Sequence, residues 1–301
     1  MKRRELLSKL ARILVIPLFG LALRAGGPAP AGQGVIIDHT CTKLASIPAE
    51  WINKAKETLH IAYGCTSHGS QLLFGMTGLS KWKGPLYSWN TGGSSGALEL
   101  RGYIGDFAGL GIANDLNSTP SGSTSYTAWE KATRAYLATD PGVNVIMWSW
   151  CWGANTSFEN IDTYLSLMNK IEKDFPNIKF VYMTGRTMAA SAYTTDDAAC
   201  NQRIRKYCKA NNKILYDFYD IECYDPDGAY FGDKHVNENC DYDSNGDGAR
   251  DRNWAIDWQR AHPGEWFPCE APHTQPLNAN MKAYAAWWLW ARLAGWDGRT
   301  G

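Results

Sequence analysis

The 301-residue chain carries no net charge, because 30 Lys and Arg offset 30 Asp and Glu. That removes the electrostatic footprint of a nucleic-acid-binding surface. No C-x-x-C pair occurs, which sets aside a zinc ribbon or a thioredoxin-type redox site. Nor is there an H-x-x-x-H or H-E-x-x-H spacing, which leaves His39 and His68 without the partners of a catalytic zinc site. No internal repeat is visible, so a solenoid is excluded. The longest apolar stretch, Ile13 to Leu23, is too short and interrupted to span a bilayer.

That stretch has another use. Lys2, Arg3 and Arg4 precede it and Ala29-Pro30-Ala31 follows it, the order of an export signal over residues 1–31. The Arg3-Arg4 pair resembles a twin-arginine signal. The expected location is therefore secreted or periplasmic, with no membrane span in the mature chain. Eight cysteines, all beyond Ala31, fit an oxidising compartment and suggest disulfides. Their pairing stays open. Cys200 and Cys208 sit about two turns apart on one expected helix, roughly 12 Å by helix rise, too far to pair with each other. A Cys240–Cys269 bond would close off the loop between them.

The remainder reads as one domain, 32–301, with 45% hydrophobic content to fill a core. Helices are expected over Pro48–Leu59, Tyr126–Thr139, Phe158–Phe175, Asp196–Ala210 and Asn278–Leu293. Strands are expected over His60–Gly64, Val143–Trp150, Ile178–Met183 and Lys213–Ile221, with a short strand or helix near Leu98–Tyr103. Alternation at this spacing argues for an α/β fold, a parallel sheet covered on both faces, with reactive groups at the strand C-terminal ends. The 14 Trp, 15 Tyr and 9 Phe are mostly core, but Trp152, at a strand end, offers a flat platform for a sugar ring.

Two stretches carry the chemistry. In H60-I-A-Y-G-C-T-S-H-G-S-Q-L72 an apolar run ends at Gly64 and gives way to small, polar and reactive residues, among them Ser67 and Ser70. A buried strand delivering its end into a pocket looks like this. Before the last helix stands E270-A-P-H273. A histidine there can reach the C-terminal edge of the sheet, and Glu270 can orient its ring as the third member of a triad does.

On these motifs the chain resembles the SGNH (GDSL-like) hydrolases, as a divergent member. The resemblance implies a three-layer α/β/α fold with a parallel, flavodoxin-like sheet. G64-C-T-S67-H-G69 stands where the family has G-D-S, which implies Ser67 as nucleophile and leaves Ser70 as the alternative. E270-x-x-H273 takes the place of D-x-x-H, and P-L-N-A-N-M-K-A-Y-A resembles the family's run into its terminal helix. G153-A-N155 matches the family's G-x-N, implying Asn155 in the oxyanion hole, and Gly105 is the choice for the glycine of that hole. The implied activity is a serine esterase, a carboxylic ester hydrolase. Taken with export and aromatic richness, the resemblance implies a carbohydrate O-acetyl ester as substrate. Asp220 or Glu222 can supply the acid if Glu270 does not. The rival reading is a non-catalytic carbohydrate-binding or cell-surface module on the same fold.

A separate motif, D241-Y-D-S-N-G-D-G-A-R-D251, places oxygen donors at alternating positions. Counted from Asp243 it resembles the calcium loops of EF-hand and thrombospondin type 3 repeats. The expected ligands are Asp241, Asp243, Asn245, Asp247, the Ala249 carbonyl and Asp251, for a structural calcium in an insertion of about 223–262. The closing Glu at position twelve is replaced by Trp254, so Asp257 or Glu238 is needed to complete the shell.

Overall fold

The computed structural model describes residues 34–188 and 196–299. The expected export signal lies outside them. In chain order the elements are β1 (Ile36–Ile37), α1 (Ala49–Thr58), β2 (His60–Cys65), α2 (Ser70–Lys83), β3 (Trp89–Asn90), β4 (Leu98–Ile104), α3 (Ala128–Leu137), β5 (Val145–Trp148) and α4 (Phe158–Asp174). They continue with β6 (Lys179–Met183), α5 (Asp197–Ala210), β7 (Ile214–Tyr216), α6 (Phe218–Glu222), β8 (Asp241–Tyr242), β9 (Arg252–Asn253), α7 (Trp254–Ala261) and α8 (Pro276–Leu293).

Seven strands form one sheet in the order β1-β7-β6-β5-β2-β4-β3, and every pairing is parallel. Its inner five strands, β4-β2-β5-β6-β7, give the flavodoxin-like order. α1 and α2 pack with α8 in one layer and α3, α4 and α5 in the other, so the fold is three-layer α/β/α. β2 is bonded on both edges, to β4 and β5, and is buried from Ile61 to Cys65. That explains its unbroken apolar sequence. The chain leaves β2 for β4 on one side and returns to β5 on the other. The crevice at such a reversal is where ligands bind in open α/β sheets.

Two segments differ from the sequence expectation. Lys213–Ile221 is a strand only to Tyr216, because the Asp217 side chain accepts the Asp220 N–H and starts α6. A capping acid at that point stops a strand whatever the apolar residues beyond it prefer. Within the expected loop after Cys223 lie the β8–β9 hairpin and α7, whose Asn253 caps its own first turn. The cysteines also depart from expectation: all eight are free. Cys240 Sγ rests against Thr274 Oγ1 at 3.6 Å and Cys269 Sγ against Asn280 Nδ2 at 3.5 Å, so neither faces the other.

α8 is buried on nearly all sides. Trp287, Trp288 and Trp290 lie in the core, and Gly75 of α2 is needed because any Cβ there meets the Ala279 carbonyl at 2.1 Å. At its middle sits Lys282, fully buried, with Nζ 2.6 Å from Glu222 Oε1 and over the Phe218 ring. Nζ also donates to Gln71 Oε1. Glu222 Oε2 accepts from the Thr187 N–H (2.7 Å) and hydroxyl (2.9 Å). Breaking such a pair strands a charge. Lys282→Met is expected to cost about 3–5 kcal/mol. Lys282→Met with Glu222→Leu should cost less than Lys282→Met alone, as measured by urea denaturation.

Candidate active site

β2 ends at Cys65 and the chain turns at once into α2. Gly69 N–H bonds the Thr66 carbonyl at 2.7 Å, and the Tyr63 hydroxyl donates to the Gly69 carbonyl at 2.9 Å. A side chain at Gly69 meets Ser149 Oγ at 2.0 Å, so only glycine lets this turn press on the loop after β5. Ser67 stands at its apex with φ +34°. A non-glycine residue held at positive φ is costly, and such strain clusters at functional positions. The Thr66 hydroxyl bonds Asp115 Oδ2 at 2.7 Å and Asp115 Oδ1 accepts the Asn117 N–H at 2.9 Å, which ties the turn to the loop after β4.

Ser67 Oγ is hydrogen-bonded to His273 Nε2, two groups 206 residues apart. Ser70 is placed differently: its buried hydroxyl donates to the Ser67 carbonyl at 2.6 Å. His273 also has positive φ, +63°. Its loop is pinned by Gln71 Nε2 donating to the Pro272 carbonyl at 2.5 Å, by Gln275 to Asn239 at 2.8 Å and by Asn278 to the Thr274 hydroxyl at 2.8 Å. The buried Lys282–Gln71 contact therefore ends one residue from the imidazole.

Glu270 does not reach the ring. It is exposed, and no hydrogen bond among the described residues joins it to His273. Asp220 instead bonds His39 Nδ1 at 2.5 Å, and Glu222 is held by Lys282. Gly105 adopts φ +94°, but its N–H donates to the Cys65 carbonyl at 2.9 Å and extends the sheet ladder, so that proton is committed. Asn155 is buried on the loop after β5, where it lines a pocket of about 170 Å³ with Asn117, Tyr126, Trp152 and Gly153. Trp148 and Trp150 are core, whereas Trp152 is 52% exposed.

One residue had no role in the sequence reading. His68 follows Ser67, is 5% exposed, and lies face to face with His273, centroids 4.3 Å apart and planes 15° apart. Neither of its ring nitrogens has a hydrogen-bond partner among the described residues. Burial first, then the neighbouring Arg186, His273 and Lys282, pushes its pKa down to about 2, so it is neutral in ordinary buffers. A histidine in a polar turn carries no sequence signal for this. Cys65 is fully buried and its thiol is pushed far up by that burial, which disqualifies it as a nucleophile.

The acidic loop folds tightly on itself. Asp243 accepts N–H groups from Gly246 (2.7 Å) and Gly248 (2.8 Å), which hold its carboxyl below the usual range. Asp251 accepts from Ser244, and Asp247 from Ala249. Asp241 is turned to Asn239 and Asn253. The expected carboxylates thus point at the loop's own amides and do not converge. Among the described residues, the three acidic or imidazole side chains whose donor atoms lie within 4.8 Å of one another are Asp38, His39 and Asp220. This trio can chelate a divalent metal once the His39–Asp220 bond is given up.

No helix among the described residues is long and apolar enough to cross a membrane. No protein-family model matches the chain, and no curated protein matches it in sequence. Among solved structures, the periplasmic domain of a lipopolysaccharide acetyltransferase from Salmonella ser. Paratyphi A is similar over 75% of this chain and 80% of that one, at 9% identity and a TM-score of 0.36.

Proposed function

We propose that the protein is an exported serine esterase in which Ser67 is the nucleophile and His273 the general base. The observation that carries this reading is the Ser67–His273 hydrogen bond, made from a strained turn at the reversal point of the sheet. In the tautomer protonated at Nδ1, the imidazole accepts the Ser67 proton at Nε2 as Oγ attacks the ester carbonyl. His273 then returns that proton to the departing alcohol, leaving an acyl-serine. Water, deprotonated by His273, clears the acyl group and restores the hydroxyl. The oxyanion is assigned to the Asn155 amide and backbone N–H groups at the Ser67 turn, not to the Gly105 N–H. Glu270 contributes little, since it makes no bond to the ring and charge at an exposed site is screened by water.

The substrate reading is a carbohydrate O-acetyl ester. Its support is the pocket between the loops after β4 and β5, whose lining of Asn, Thr, Tyr, Trp and Gly bears no charge and whose rim is an exposed indole. The volume suits one ring of a neutral, hydroxyl-rich ligand. The committed Gly105 N–H and the exposed Glu270, which makes no bond to the His273 ring, favour one alternative, a glycan-binding module without catalysis.

Calcium belongs to the same proposal as a structural ion. Asp243, Asp247 and Asp251 have no Lys or Arg partner among the described residues, and their oxygen donors suit calcium in kind. They fit in chemistry and would have to turn from amide to ion, with Asn245 and the Ala249 carbonyl beside them, while the expected completing acids are paired elsewhere, Glu238 with Arg186 and Asp257 with Arg252. No catalytic step runs through this loop.

Three outcomes are expected. Ser67→Ala should abolish p-nitrophenyl acetate hydrolysis and fluorophosphonate labelling while Glu270→Gln loses less than about tenfold. An active Ser67→Ala enzyme removes Ser67 as the nucleophile, and unlabelled, inactive wild type that retains glycans supports the module instead. Trp152→Ala should raise KM for an acetylated glycan and leave that for p-nitrophenyl acetate unchanged; equal changes for both substrates argue against the sugar platform. Calcium should raise Tm and EDTA lower it in a thermal melt, and no shift either way removes the ion from the loop.

A further inference from the structure

We propose that His68 is a positioning residue for His273, orienting the general base by ring stacking in the part that a carboxylate fills in a triad. This rests on the reading of Ser67 and His273 as nucleophile and base.

Three observations support it. His273 is exposed at positive φ, and no described carboxylate bonds its ring, so its plane has to be fixed in another way. The backbone is fixed by Gln71 at Pro272, but a backbone bond leaves the ring free to rotate. The surface lying parallel against that ring is His68, buried and held between the Ser67 turn and the loop after β5. Because Ser67 and His68 are adjacent, one turn supplies both the hydroxyl at the ring edge and the plane at the ring face.

The charge logic is consistent with that geometry. His68 faces Arg186 from the loop after β6, Lys282 from α8, His273 from the preceding loop, and the Cys151 backbone from the loop after β5. Both fixed cations have their own acids, Arg186 with Glu238 at 2.9 Å and Lys282 with Glu222 at 2.6 Å, so neither frees a carboxylate to charge His68. His68 stays neutral, and only one ring of the pair takes a proton. The imidazolium that forms on His273 then lies on a neutral π face, which attracts a cation, rather than on a second positive ring.

The test compares full-length wild type, His68→Ala, His68→Phe and Ser67→Ala, using the rate of fluorophosphonate attachment to Ser67 and steady-state kinetics on p-nitrophenyl acetate. His68→Ala is expected to slow labelling and kcat by on the order of 100-fold with KM little changed, the scale of a misplaced catalytic group. His68→Phe keeps a flat ring and removes two unpaired buried nitrogens, so it should restore both rates close to wild type with no loss of Tm. Labelling of His68→Ala at the wild-type rate overturns the proposal. A His68→Phe protein as slow as His68→Ala also overturns it, because the nitrogens and not the plane would then matter. Wild type that labels no more than Ser67→Ala overturns the reading of Ser67 itself, and the positioning role with it.

Discussion

A lysine ammonium buried in the middle of a helix must be neutralised where it stands, and much of this structure is arranged around that requirement at Lys282. Glu222 supplies the charge, and it can do so because the segment after β7 breaks into α6 at Asp217 instead of continuing as a strand. Thr187, on the loop after β6, occupies the second Glu222 oxygen. Gln71, one residue into α2, accepts from Lys282 with its carbonyl and spends its amide on Pro272. Neutralising the charge and placing the base loop are thus one problem with one solution. A half-satisfied version of this network would be worse than an apolar core.

The same network supports the strain above it. Ser67 and His273 both hold left-handed backbone without being glycine, a cost of order 1–3 kcal/mol each that only an over-determined surrounding sustains. For Ser67 the surrounding is the Tyr63 hydroxyl, the close seat of Gly69 on Ser149, and the start of α2. For His273 it is the trio of side-chain bonds from Gln71, Gln275 and Asn278. Two loops far apart in sequence are each rigid, and they meet where the sheet reverses direction.

How much of this was legible follows from what a linear pattern encodes. The inner strands were readable because burial on both faces removes polar residues altogether, as in Val145–Trp148. The candidate site was readable at Ser67 and His273 because polar, small residues interrupt or border such runs. Asp217–Ile221 looked like the end of a strand because it continues the apolar and aromatic run from Ile214, and the cap that decides otherwise depends on a side chain folding back. Glu270 was chosen by spacing from His273, which says nothing about which way a carboxylate faces. Gly105 failed as a donor for a similar reason: glycine marks a turn, but the partner of its N–H is a tertiary fact. The cysteine count pointed to disulfides, while in the fold all eight thiols are free. His68 could not be found at all, because only the approach of His273 gives it a meaning.

The departure of Glu270 changes what kind of catalyst the site can be. In a triad the carboxylate selects the tautomer, fixes the ring and stabilises the imidazolium. Here the Ser67 hydroxyl donates to Nε2 only if Nδ1 carries the proton, so Ser67 itself selects the tautomer, and exposure lets water accept from Nδ1. The ring plane can be fixed by a neighbour of any charge, which a flat neutral ring satisfies. What neither water nor a neutral ring replaces is the field of a buried anion on the protonated base, and in low dielectric that field is strong. On the proposed esterase reading, catalysis here has to rely more on orientation than on charge stabilisation of His273. The rigidity given to both loops, down to a fully buried ion pair beneath them, is what such a dependence requires.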